Sequence, residues 1–168
     1  MSIIKKHKFF EGLWEITYTN KDGEEVWKKT IQNALVDQGE YILLSTFFRN
    51  YLSPASFYIG LANGDMNDES TLTRIPNEPT VAGYSRQTLG RSVSNFPLME
   101  KIDGDWAIRT GAITFTAGAV AIGPVDKAFM ATGSAGSGYL ISYVSMPAGE
   151  VTVQPGDSLS FYIRIKAM

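Results

Sequence analysis

Cysteine is absent from this chain of 168 residues, and histidine occurs once, at His7. The first absence excludes a disulfide framework and thiolate chemistry. The second removes the side chain most often used for acid–base work near neutral pH, and metal centres draw on much the same residues. No apolar run approaches the ~20 residues that a bilayer-spanning helix needs. Lys5, Lys6 and Lys8 precede no apolar stretch, so no signal peptide is expected and the chain is read as soluble and made in the cytoplasm. An excess of charge of one sign is missing too: 15 Lys and Arg against 17 Asp and Glu leave a net −2. Nonspecific nucleic-acid binding rests on phosphate neutralisation, which that balance serves poorly. Neither nucleic acid nor membrane is therefore an expected partner.

What is present is the composition of one globular domain, with 44% hydrophobic and 19% charged residues. A chain of this length buries about 70% of its unfolded surface and needs no covalent staples. Short apolar runs are separated by Gly, Pro, Asn and Asp, the pattern of many short strands. Leu13 to Thr19 alternates, with Trp14, Ile16 and Tyr18 on one face. Asn20-Lys21-Asp22-Gly23 supplies a tight reversal, and Glu25 to Ile31 returns as an edge strand guarded by lysines. Further strands are expected at Phe57 to Leu61, Tyr84 to Leu89, Trp106 to Ile108, Ala112 to Phe115 and Val125 to Thr132. Tyr139 to Met146 is apolar on both faces, as a central strand should be. After Val151 to Val153, Pro155-Gly156 fits a type II turn. The last strand carries Leu159, Phe161, Ile163 and Ile165 on one face and Ser160, Tyr162, Arg164 and Lys166 on the other.

One helix is expected, from about Gln38 to Asn50, capped by Asp37 and ended by Ser53-Pro54. Leu44, Phe47, Phe48 and Tyr51 follow the i, i+3, i+4, i+7 spacing of an apolar stripe, and core packing is its ordinary fate. The alternative use of such a stripe is an intersubunit contact. The expected fold is mainly β, an antiparallel β-sandwich of jelly-roll type with this helix near 38–50. Residues 1–12 form an N-terminal arm, and 13–168 form a single domain that includes a long polar connection at 62–83. Connections of that length are usually functional or disordered.

Candidate chemistry is thin. Asp65-Met66-Asn67-Asp68-Glu69 clusters oxygen ligands, but Ser70 stands where a calcium loop needs Gly, and Pro76 where it needs the bidentate Glu. Thr132 to Gly138 is rich in Gly and Ser but is followed by Tyr139 and a strand rather than by Lys and a helix, so it reads as a hairpin loop rather than a phosphate loop. No Gly-x-Ser-x-Gly elbow occurs. Glu24-Glu25 and Asp103/Asp105 are adjacent acids of the kind glycoside hydrolysis uses, placed in turns where acids are common anyway. Trp27, Tyr84 and Trp106 could stack on sugars, although rings of this kind more often complete a core or an interface.

Several segments in succession resemble small virion proteins of tailed bacteriophages. They are the Trp14 strand with its Asn20–Gly23 turn, Asn33-Ala34-Leu35-Val36-Asp37-Gln38-Gly39 and Phe57-Tyr58-Ile59-Gly60-Leu61-Ala62. Glu78-Pro79 with Gly83-Tyr84-Ser85-Arg86, Ile113-Thr114-Phe115-Thr116 and Gly156-Asp157-Ser158-Leu159 complete the series. The resemblance implies a noncatalytic structural component of the virion without cofactors, either a head decoration (cement) protein or a tail-associated one. Its implied partners are the major capsid protein and further copies of itself, with a trimer suiting shell threefold positions and no small-molecule ligand. The two arms would make the contacts, through Lys5, Lys6, Lys8, Phe9 and Phe10 on the first and Asp65, Asp68, Glu69 and Arg74 on the second. A β-sandwich that binds host glycans is the reading from a different class.

Overall fold

The computed structural model describes residues 10–167. In chain order the elements are β1 (Phe10–Thr19), β2 (Glu25–Gln32), β3 (Ala34–Leu35), α1 (Asp37–Arg49) and β4 (Ser56–Ala62). A single 3-10 turn (Leu72–Arg74) precedes β5 (Gln87–Gly90), β6 (Leu98–Ile102), β7 (Asp105–Arg109) and β8 (Ile113–Thr116). The chain closes with β9 (Ile122–Val125), β10 (Lys127–Ala131), β11 (Leu140–Ser145), β12 (Val151–Val153) and β13 (Ser158–Ala167). The protein is mainly β, and all its strand pairs are antiparallel.

The larger sheet runs β2-β1-β13-β7-β6, with β8 also paired to β13. Strand β13 is its axis. One edge pairs with the whole of β1, from Phe10↔Ala167 to Thr19↔Ser158. The other edge is divided between β8, opposite Ser158 to Phe161, and β7, opposite Arg164 to Lys166. Buried Thr110 closes the gap between those two short strands. Its N–H donates to Ile163 O (2.9 Å) and its Oγ1 accepts from Ile163 N–H (2.9 Å), so neither backbone group of Ile163 is left unpaired.

Local chemistry explains the reversals. Asn20 Oδ1 accepts from the N–H groups of Asp22 and Glu24 across the β1–β2 turn, and β2 is an edge strand as its mixed faces imply. Asp103 and Gly104 both have positive φ (53° and 93°) between paired Ile102 and Asp105. That is the two-residue turn an Asp-Gly dipeptide favours, and it forms a β6–β7 hairpin whose first strand periodicity had not revealed. Asp157 N–H donates to Gln154 O, with Gly156 at φ 89°, so Pro155-Gly156 makes the expected turn. Buried Asp157 also ties that turn to the first hairpin, accepting from Tyr18 OH and from Lys21 N–H. Burial, followed by the Asp157 bond, raises the Tyr18 phenol above its ordinary pKa.

The second sheet runs β3-β11-β10-β4-β5, and β12-β9 form a separate pair. The single strand expected over Val125–Thr132 is in fact two. Val125 ends β9 against β12, and after Asp126 the chain enters the second sheet as β10. The two faces of β10 serve two cores. Ala128 and Met130 join the main one, with Trp14, Phe115 and Phe161 from the first sheet and Ile59 and Leu61 from β4. Phe129 and Ala131 belong to a second, with Met66, Leu72 and Leu140. Strand β11 is likewise apolar on both sides because Ile141 and Val144 face one core and Leu140 the other.

Candidate functional site

The helix is where the chain departs most from its sequence pattern. Asp37 is its first residue rather than its cap. The cap position is Val36, which makes no side-chain cap bond. The buried helical residues are Gly39, Ile42 and Ser45. A Cβ on Gly39 would stand 2.1 Å from Ile141 O, so only glycine lets the helix approach β11 this closely. The stripe expected in the core is instead exposed: Leu44 58%, Phe47 69%, Phe48 83% and Tyr51 56%, with Tyr41 beside it at 45%. Phe10 stacks on Phe47 with ring centroids 6.4 Å apart, extending the apolar surface to the start of β1. Among the described residues Leu44, Phe47 and Phe48 thus form an exposed apolar patch on one face of the helix, continued past its end by Tyr51.

Several local signals account for the reversal. Small residues at 39 and 45 fit a helix pressed against a strand backbone, while the large rings are too bulky for that contact. Gln38 then fastens the N-terminal turn, its Oε1 accepting from Leu140 N–H (2.8 Å) and Leu72 N–H (3.3 Å). Asp37 N–H donates to Asp68 O (2.9 Å). At the other end Asn50, at φ 49°, donates from its N–H to Ser45 O, and Thr46 Oγ1 donates to Leu52 O.

The long polar connection lies against the second sheet and is closed by side chains. Met66 and Leu72 are buried in the second core. Arg86, whose side chain is 5% exposed, grips Glu78 through Nε (2.7 Å) and NH2 (2.6 Å). Its NH1 donates to Gly133 O and Ala135 O, and its guanidinium lies 5.0 Å from the centre of the Phe129 ring. The Gly/Ser hairpin between β10 and β11 is thus tied to the loop. Tyr84 OH donates to Glu78 and accepts from Leu61 N–H (2.8 Å), while its ring stacks on Phe115. Burial, and the nearby Glu78 charge, hold this phenol well above its usual pKa. At the loop's base Gly64 N–H donates to Asp126 Oδ1 (2.9 Å), and Lys127 Nζ stands 2.6 Å from Asp126 Oδ2. Partial burial opposes ionisation of Asp126, but these bonds outweigh it and lower the carboxyl below its ordinary pKa.

Of the residues expected to meet a partner, Asp65, Asp68, Glu69 and Arg74 are exposed on this fastened loop. Phe10 is the first rung of β1 rather than part of a free arm, so the domain starts before residue 13. Lys5, Lys6, Lys8 and Phe9, with most of the expected arm, lie outside the described residues, as does His7. Among the described residues no three His, Cys, Asp or Glu side chains gather as a metal-holding group. No described helix is long and apolar enough to cross a membrane.

The adjacent acids are accounted for locally. Glu24 accepts from Asn20 Nδ2, and Asp103 and Asp105 both pair with Lys166 (3.6 and 3.5 Å). Of the three candidate sugar-stacking rings, Tyr84 belongs to the core and Trp27 stacks on Tyr18. Trp106 stays 53% exposed, with Lys101 over its face. A cleft of about 170 Å³ beside β5 and β8 is lined by Gln87, Thr88, Ser94, Asn95 and Thr114 among others, with no ionisable side chain. That lining offers hydrogen bonds but no acid–base pair.

No protein-family model matches this chain, and no similar protein is found among the curated ones.

Proposed function

We propose that this protein is a noncatalytic structural component of a tailed-bacteriophage virion, a decoration or cement protein on the head shell. The observation that carries the reading is the outward face of α1, where Leu44, Phe47 and Phe48 are exposed, with Tyr51 exposed just past the helix. A surface subunit uses such a face by burying it against another protein, at about 1.5–3 kcal/mol for each large side chain removed from water. The succession of segments that resembles phage virion proteins supplies the biological setting. The partners are the major capsid protein and further copies of this chain, trimeric at shell threefold positions, with the N-terminal arm adding contacts. Many copies on a repeating lattice turn modest contacts into firm attachment. The finer fold in this proposal is a jelly-roll-like β-sandwich, which the single core shared by the two larger sheets supports.

The test is the mass of the purified protein alone and after mixing with empty heads. Oligomers that cosediment with heads, and lose both properties in Phe48→Ser, are expected. A monomer that never cosediments overturns the reading. Deleting residues 1–12 should lower occupancy, although it also removes three rungs of β1, so a deletion of 1–9 isolates the arm. Reconstruction of the particle distinguishes a head position from a tail or fibre one. The glycan-binding alternative rests on exposed Trp106 and predicts glycan-array binding that Trp106→Ala abolishes.

A further inference from the structure

The outer face of the larger sheet carries an arrangement of charge that the fold alone does not balance. Arg164 on β13 is directly opposite Arg109 on β7. Directly opposed side chains have Cβ atoms about 4.5–5.5 Å apart, and like charges at such positions repel. The sheet supplies one carboxylate between them and a third cation: Glu15 Oε1 lies 3.4 Å from Arg109 NH2 and 3.2 Å from Lys28 Nζ. Arg109 is further held over the Tyr162 ring, 4.3 Å from its centre. Among the described residues Arg164 has no ion-pair partner. Its Nε is buried without a hydrogen-bond acceptor among the described residues, although a buried N–H of a cation is costly to leave unpaired.

Two further acids share this face, Glu11 on β1 and Glu100 on β6, the latter opposite Ala107 and two residues along from the Leu98↔Arg109 pair. Neither makes an ion pair with Arg109 or Arg164 among the described residues. Asp103 and Asp105 pair with Lys166, and Glu11 stands opposite Lys166, two residues along the ladder from the Leu13↔Arg164 pair. Between the two arginines lies a groove of about 50 Å³, lined by Leu13, Glu15, Thr30, Arg109, Tyr162 and Arg164. That space admits more than one water and little beyond a small anion. Two guanidinium groups at its wall, one over a ring and the other with its Nε unpaired among the described residues, present the forked donors that a carboxylate or phosphate accepts in bidentate fashion.

We propose that this groove is an oxyanion site, taking one carboxylate or phosphate group between Arg164 and Arg109. It stands apart from the α1 face and does not rest on the virion reading. A carboxylate would come from an acidic side chain of another protein, and a phosphate from free phosphate or a phosphorylated ligand. The test is a titration of the full chain with acetate and with inorganic phosphate against chloride at matched ionic strength, following the Arg164 Nε–H resonance. Saturable shifts with either oxyanion and none with chloride are expected, and the tighter of the two assigns the source. Arg164→Gln should weaken the response about tenfold or more, and Arg164→Lys, which keeps the charge but loses the fork, should weaken it less. Arg91→Gln, exposed just after β5, should leave it unchanged. Equal shifts with chloride, or an undiminished response in Arg164→Gln, would overturn the site. If Arg164→Gln does not fold, the wild-type titration decides alone.

Discussion

The helix α1 and the loop that follows β4 both lie against the second sheet, and they are held there by opposite means. The loop is polar, yet it is closed: Arg86, Glu78 and Tyr84 satisfy one another and three backbone carbonyl or amide groups of neighbouring segments. The helix is rich in large apolar side chains, yet it meets the sheet with glycine, isoleucine and serine and leaves its rings in water. Polarity in sequence therefore does not mark the part that reaches outward here. A buried, fully paired polar network specifies one conformation because every unpaired alternative is costly. An apolar helix face that the described residues leave uncovered gains free energy when another surface buries it.

Substitutions can break each half of this contrast separately. The largest effect is expected for Arg86→Met, which strands Glu78 in a partly buried site and frees two carbonyls. A loss of about 3–5 kcal/mol is expected from the denaturation midpoint, with amide exchange accelerated over residues 63–86. Near-wild-type stability would mean that the loop is not locked. Gly39→Ala comes next. In an exposed helix this change would gain up to about 1 kcal/mol, but with its Cβ against Ile141 O it should cost about 2–3 kcal/mol. A stabilised variant would show that α1 can stand off the sheet.

Phe48→Ser tests the other half. Folding stability should stay within about 0.5–1 kcal/mol of wild type, as for an exposed position. Self-association or shell binding should fall tenfold or more, measured by sedimentation. Tyr84→Phe keeps the ring stacked on Phe115 but removes the acceptor of Leu61 N–H, and should cost about 1–2 kcal/mol.

The smallest effect concerns acid. The Asp126 carboxyl is lowered below its unfolded value, so its contribution is complete above about pH 4, the unfolded Asp pKa. It is lost as pH falls through the lower folded value. Asp126→Asn should therefore cost under about 1 kcal/mol at neutral pH and flatten the stability profile on the acid side. A parallel, merely displaced profile would show that the Gly64 and Lys127 contacts do not depend on its charge.

Local rules made much of the scaffold legible before any coordinates. The Trp14, Ile16, Tyr18 face, the Asn20–Gly23 reversal, the Pro155-Gly156 turn and the inward set of β13 are written within a few residues of themselves. The turn of the β6–β7 hairpin is equally legible in Asp103-Gly104, but its first strand is not, because Leu98 to Ile102 has no alternation and is exposed along most of its length. The groove at Arg164 was not legible. Nothing in either strand alone says that residues 109 and 164 face each other.

The amino-acid order by itself determined that this chain would be β-rich, where its strands turn, and that one amphipathic helix would interrupt them. Dihedral preference and side-chain alternation act over neighbouring residues, so they need no knowledge of the partner strand. Which side of that helix meets the sheet was decided only by tertiary structure. The choice depends on Ile141 O, about a hundred residues from Gly39, and on the fact that a strand backbone admits a hydrogen atom where it excludes a ring.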